Sequence, residues 1–158
     1  MVASQTKAHF IEPMLLLRID KLPEGKNWEY ELKLDGYRAI AFKSGGRVHL
    51  RSRNDKDFNS RYPAIVKALS AMPDETVIDG EVVALDESGR PSFNSLQNYA
   101  SSRIPLLYYV FDVLVLSGHD LMSESLMTRR EVLQGRLLSK MDESYWPEAG
   151  DAAGNARR

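Results

Sequence analysis

Lys33 opens the hexapeptide Lys33-Leu34-Asp35-Gly36-Tyr37-Arg38 and lies at the end of a run whose charges alternate with apolar residues. From Trp28 to Asp35 the period is two: Trp28, Tyr30, Leu32 and Leu34 fall on one side, Glu29, Glu31, Lys33 and Asp35 on the other. The spacing predicts a strand over 28–34 with its apolar side on a core and Glu31 and Lys33 side by side on the open face. Lysine in such a place can be a nucleophile. Its reference pKa is about 10.4, so on the order of one amine in a few thousand is neutral at pH 7, and a nucleophilic site has to favour the neutral form. Desolvation or a neighbouring cation does so, and Arg38, a bound divalent metal or a second lysine could supply the charge. Asp35 and Glu31 act in the opposite sense unless they face a ligand or metal. Gly36, with no side chain, would let a nucleotide approach the backbone just past the nucleophile. The plainer alternative is an exposed amphipathic strand followed by a turn.

Further strings share this chemistry. Val77-Ile78-Asp79-Gly80-Glu81-Val82 places two carboxylates on one side of an otherwise apolar strand, and buried acids are costly unless paired or bound to metal. Leu50-Arg51-Ser52-Arg53-Asn54 sets two arginines at alternate positions, which on its own reads as a solvated strand face. His49 shares that face without a catalytic role. Phe111 sits in Leu106–Leu116, an almost unbroken apolar run expected of a strand buried on both faces, so by pattern alone it is core.

Together with the lead-in Phe10-Ile11-Glu12-Pro13-Met14-Leu15 and the string Tyr109-Val110-Phe111-Asp112-Val113, these motifs resemble, in order and approximate spacing, the adenylation domain of ATP-dependent DNA ligases. Within the covalent nucleotidyltransferases, which include RNA ligases and capping enzymes, the chain is most similar to the ligase module of bacterial end-joining ligase D, over roughly residues 9 to 138. The resemblance implies that Lys33 attacks the α-phosphate of ATP, expels pyrophosphate and carries AMP as a phosphoramidate, with Mg²⁺ or another divalent metal assisting. It implies that Glu31 reads the adenine amino group, that Arg38 and Arg53 contact the sugar and phosphate region, that Glu81 holds the ribose or the metal, and that Phe111 stacks on adenine. Each residue type suits its role: carboxylates accept from amines, guanidinium forks match phosphate oxygens, and an aromatic face takes a purine. The implied macromolecular partner is nicked or broken double-stranded DNA. An RNA substrate ranks lower, because the lead-in at Phe10 and the Ser52-Arg53-Asn54 string look more like a DNA ligase.

The elements that must position these residues follow from pattern. Strands are expected at 28–34, 37–43, 47–53 after a turn at Ser44 to Gly46, 77–85 and 106–116. A helix opened by Pro63 carries Ile65, Val66, Leu69 and Met72, and a short one spans Ser92 to Ala100. Another starts at Thr128, boxed by Glu131 and stapled by Met127 and Val132, and ends near Leu138. Runs of strands broken by helices give an α+β domain with an antiparallel sheet, and the resemblance makes this the ATP-grasp-like nucleotidyltransferase fold without its OB domain. Residues 1 to 138 are expected to form the amino-terminal part of the adenylation domain, and 139 to 158, small and polar, a disordered tail.

The family's next elements, a Glu-Gly followed by a lysine and then a strand with two more lysines, have no counterpart, since Lys140 is the only lysine after Phe111. The resemblance thus implies a truncated site with impaired transfer. A non-catalytic nucleotide- or DNA-binding fragment is the alternative, and a second chain could supply the missing half. The 158 residues, 43% hydrophobic, suit one soluble domain, and the lack of cysteine excludes disulfide and thiolate chemistry. With no long apolar stretch and no signal-like start, the cytoplasm is the default compartment. The net charge of −1 argues against a chain that grips nucleic acid over its whole surface. Residues 33 to 61, however, carry eight basic residues against three acids, a segment able to meet phosphates.

Overall fold

Gly45 and Gly46, both at positive φ (57° and 76°), reverse the chain in the two-residue turn whose twist matches antiparallel strands, and so pair β1 (Tyr37–Ser44) with β2 (Arg47–Ser52). The other edge of β1 pairs with β3 (Thr76–Ala84), which pairs in turn with β4 (Leu106–Leu116), and a short β5 (His119–Asp120) closes the sheet. The order is β2-β1-β3-β4-β5 and every pairing is antiparallel, the α+β architecture expected. The computed structural model describes residues 5–28, 30–31, 33–99 and 104–141.

Alternation along the strands gives the sheet two faces with different tasks. Ala39, Ala41, Leu50, Ile78, Val82, Tyr108 and Val113 point into the main core. Helices cover that face with Ile65, Leu69, Met72, Leu96, Leu133 and Leu137. α1 (Pro63–Ala68) opens on its proline and tightens into a 3₁₀ turn at Leu69–Ala71. α2 (Phe93–Gln97) is capped by the Ser92 hydroxyl, which accepts from the Ser95 amide at 3.3 Å. α3 (Leu126–Val132) starts earlier than its sequence suggests. Ser125, in extended conformation, is the cap and accepts from the Thr128 amide at 3.2 Å, so Thr128 lies inside the first turn. Met127 is then 63% exposed and closes no staple. A π turn (Leu133–Leu137) and a 3₁₀ turn (Leu138–Lys140) follow, and Met141 is buried in the core, so ordered packing runs past the expected boundary at 139. Residues 142–158 of the expected tail lie outside the described residues.

On the opposite face Ile40, Val77 and Val115 are covered by Ala8, with Phe10 and Ile11 alongside. This amino-terminal strap is tied by the Thr6 amide to the Gly118 carbonyl (2.9 Å) and by the Ala8 amide to the Glu75 carboxylate, which also accepts from the Ser44 hydroxyl at 2.9 Å. The Ala8 amide, then the Ser44 hydroxyl, hold the Glu75 carboxyl below its ordinary value. A carboxyl depressed in the fold stabilises it above the unfolded pKa, and that contribution is lost as pH falls through the folded value. Glu75→Gln should therefore lower Tm at pH 7, with the gap to wild type closing on acidification. A gap independent of pH in paired melts would contradict the strap's dependence on charge.

The described residues of the expected strand over 28–34 form no strand. Tyr30, Glu31, Lys33 and Leu34 have irregular backbone, and Trp28 and Tyr30 are 55% and 52% exposed. Alternation alone cannot make a strand, because its amides and carbonyls need a ladder partner. Both edges of β1 are already taken by β2 and β3, and no described strand pairs with 28–34. Upstream, Met14, Leu15, Leu16 and Leu17 are also exposed, Leu17 at 90%. No helix among the described residues is long and apolar enough to cross a membrane.

Candidate active site

The part of the second face left open by the strap carries the sequence's candidate residues. Ile40 pairs with Asp79 and Arg38 with Glu81, so the pleat that turns Ile40 towards the strap turns Arg38, Asp79 and Glu81 the same way. Arg38 grips Asp79 with a two-pronged fork, Nε to Oδ1 and NH2 to Oδ2, both 2.7 Å. Its guanidinium carbon also lies 4.8 Å from the centroid of the Phe111 ring. Phe111 is thus a partly exposed aromatic on the site face, not the two-sided core residue its run suggests. The register shift between Asp79 and Gly80 explains this, since Asp79 pairs with Asp112 while Gly80 pairs with Val110, leaving residue 111 without a partner.

Burial pushes the Asp79 carboxyl up, against the stabilising fork from Arg38, and the Asp112 charge adds to the rise. Burial also pushes the Glu81 carboxyl up; the Gly36 amide, donating to Oε1 at 2.9 Å, and the Lys33 and Arg38 charges oppose it. Lys33 itself is exposed, and Asp35 acts on the Glu81 carboxyl in the sense opposite to the lysine. The hydrogen bond from Gly36 is the backbone anchor that brings the Lys33 segment to β3.

Gly36 itself has a different reason from the one its motif suggests. A Cβ there would sit 2.3 Å from the Val82 carbonyl oxygen and 2.8 Å from Val83 Cγ1, so the missing side chain makes room for the protein's own strand.

Arg53 is exposed just beyond β2, and its amide donates to the Arg38 carbonyl at 3.2 Å, which keeps it next to Arg38. Glu31 does not line up beside Lys33 on a strand face; its carboxylate is ion-paired with Arg130 of α3. Arg51 is bound to Asp55 (2.8 Å) and lies 3.7 Å from Asp57, and His49 stacks on Phe42 with centroids 4.8 Å apart. Glu81, Arg38 and Phe111 are thus neighbours, Arg53 adjoins them through its backbone, the Lys33 segment is joined to them by the Gly36 amide on Glu81, and Glu31 is tethered from the helix.

Three participants were not singled out by the sequence. Asp112 is buried opposite Asp79 and is gripped by Arg129 Nε and NH2 at 2.8 Å each, while Arg130 holds Glu31. One signal was available for Asp112, since a lone acid in an eleven-residue apolar strand demands a counterion. Nothing in the pattern of Arg129 or Arg130 points to their partners. Among the described residues no group of three or more His, Cys, Asp or Glu gathers as a metal cage. Asp79 spends both oxygens on Arg38, whereas Glu81, with a pKa raised by burial and one oxygen on an amide, has the chemistry to serve as a single carboxylate ligand. Mg²⁺ held largely by water and phosphates needs only one or two such ligands.

An antiparallel sheet that presents a guanidinium fork, a carboxylate and an aromatic ring on one open face, with a lysine on the segment that leads into it, suits a phosphate-bearing aromatic ligand. Residues 1–149 match the family described as the ATP dependent DNA ligase domain, and the chain belongs to that family. It is 41% identical over 137 residues to the multifunctional non-homologous end joining protein LigD of Pseudomonas aeruginosa, covering 85% of this chain and 16% of that protein. It is 38% identical over 138 residues to DNA ligase C1 of Mycolicibacterium smegmatis, covering 78% of this chain and 40% of that one. Among solved structures, the ligase domain from M. tuberculosis LigD superposes with a TM-score of 0.57 at 36% identity, over 66% of this chain and 34% of the other. A mycobacterial DNA ligase D complexed with ATP and MES gives a TM-score of 0.55, also at 36% identity, with 65% and 34% covered. The chain therefore spans only a minor part of the length of each of these relatives.

Proposed function

We propose that this chain carries the nucleophile and purine side of an ATP-dependent DNA ligase active site. In this reading the neutral Lys33 amine attacks the α-phosphorus of ATP, the bond to pyrophosphate breaks, the amine loses a proton, and AMP remains as a lysyl phosphoramidate. Arg38 and Arg53 meet the sugar and phosphates, Phe111 offers a ring face to adenine, Glu31 accepts from its amino group, and Glu81 takes the ribose or one position on a divalent metal. The metal, when bound, neutralises phosphate charge. The chain's own groups do the positioning on which nucleotidyl transfer depends. Nicked or broken duplex DNA is the substrate that would receive the AMP, and the remaining ligase elements would come from further polypeptide, in this chain or a second one.

One observation carries the reading: the Gly36 amide, three residues past Lys33, binds Glu81, whose strand partner Arg38 lies against Phe111, within a region that matches the family. Incubation with α-labelled ATP and Mg²⁺ should tag the wild type and leave Lys33→Ala at background. Equal labelling of both would refute it. A second reading, nucleotide binding without transfer, is favoured by the exposure of Lys33 on a segment with no strand partner. Calorimetric ATP binding with no adduct after long incubation would select it.

A further inference from the structure

We propose that the successive arginines of α3 are positioning residues for this site, Arg130 holding the Lys33 segment through Glu31 and Arg129 holding the Phe111 strand through Asp112. The inference rests on the adenylation reading for its consequence, although the contacts stand without it. The Lys33 segment has no ladder to fix it: its polar ties to the body, among the described residues, are the Gly36 amide on Glu81 and the Glu31 carboxylate on Arg130. These bracket Lys33 on either side in sequence. A single ion pair of this kind, with side chains 25% and 47% exposed, is weak in general. Here it acts on a segment whose described residues Tyr30, Glu31, Lys33 and Leu34 have irregular backbone, where a small bias decides where the amine sits. A carboxylate has four lone-pair positions, so Glu31 can keep Arg130 and still accept an amino group.

Arg129 fixes the other wall. Asp79 and Asp112 are buried carboxylates on paired positions of adjacent strands, and each has its own two-pronged arginine. With Asp112 satisfied from α3, Arg38 remains with Asp79 and over the Phe111 ring. Without Arg129, the Asp112 carboxylate, paired in register with Asp79, would compete for Arg38 and draw it from the ring. The Glu124 carbonyl, accepting from Arg129 NH1 at 2.7 Å, holds the guanidinium in place. α3 thus joins the two sides of the site, and its neighbouring arginines make their settings interdependent.

Amide hydrogen exchange and adduct formation, measured on the full chain, test this. Arg130→Ala should speed exchange over residues 30–36 about fivefold, the effect of losing one such pair, and leave β3 and β4 unchanged. It should slow lysyl-AMP formation by a similar factor. Arg130→Lys should regain most of both, and in a Glu31→Ala background Arg130→Ala should add much less than it does in the wild type, a non-additivity that general destabilisation does not produce. Arg129→Ala should instead accelerate exchange around residue 111. Unchanged exchange over 30–36 in Arg130→Ala, or additive effects in the double variant, would overturn the proposal. If the wild type takes no label, the adenylation reading fails, and the exchange arm alone still decides whether these arginines set the two segments.

Discussion

Arg38→Ala should lose about 3 kcal/mol of folding stability at neutral pH, the low end of the range for breaking a buried ion pair, because a quarter of the Arg38 side chain remains in water. Most of the loss falls on Asp79, 5% exposed in its side chain, which would keep a charge with no fork around it. Burial already raises the Asp79 carboxyl with Arg38 in place, and removing the guanidinium raises it further. A carboxyl raised in the fold binds more protons folded than unfolded, so stability falls as pH climbs from the unfolded pKa to the folded one. That window is wider in the variant. The deficit should therefore be largest near pH 7.5 and shrink towards pH 4.5 in urea titrations. A deficit that is equal at both, or grows in acid, would show that Asp79 does not carry it. The same substitution removes the cation beside Phe111, so weaker ATP binding should accompany the loss at every pH.

Gly36→Ala should be nearly as damaging for a different reason. Its Cβ would meet the Val82 carbonyl oxygen at 2.3 Å, and backbone cannot swing aside as a long side chain can. The segment must move off β3, which also breaks the amide contact to Glu81. Overpacking of this sort destabilises by roughly 2–3 kcal/mol. Lys33, three residues away, would shift with the segment, and a displacement of about 1 Å at a reacting centre can slow a reaction on the order of a hundredfold. Single-turnover labelling beside a thermal melt separates the two effects. A Gly36→Ala chain that melts and labels like wild type would mean the approach to β3 is looser than the structure has it.

The sheet was legible because its strands carry their own instructions: Gly45-Gly46 sets the first hairpin, and 106–116 is apolar enough to be buried in any register. The Lys33 segment misled because alternation reports which side would be buried, and says nothing about whether a partner strand is present to complete the ladder. Phe111 misled in the opposite way. A register shift beside Gly80, invisible in composition, takes it out of the core and onto the site face. Of the site, the acids and basic groups of the motifs could be named in advance, and Asp79 and Glu81 fall on one strand face as their spacing required. Their pairing could not be read, because long-range ion pairs such as Arg129 with Asp112 and Arg130 with Glu31 depend on how α3 packs against the sheet. The Thr128 box lost to Ser125 for a local reason: two hydroxyls three residues apart compete as caps, and the one with extended backbone before the turn takes the amide.

The most direct test of the account is to digest the chain after incubation with ATP and Mg²⁺ and to locate any AMP by peptide mass spectrometry. One acid-labile adenylyl group is expected, on the peptide that contains Lys33, lost in Lys33→Ala and reversed by added pyrophosphate. AMP bound covalently to another lysine, with Lys33 unmodified, would contradict it.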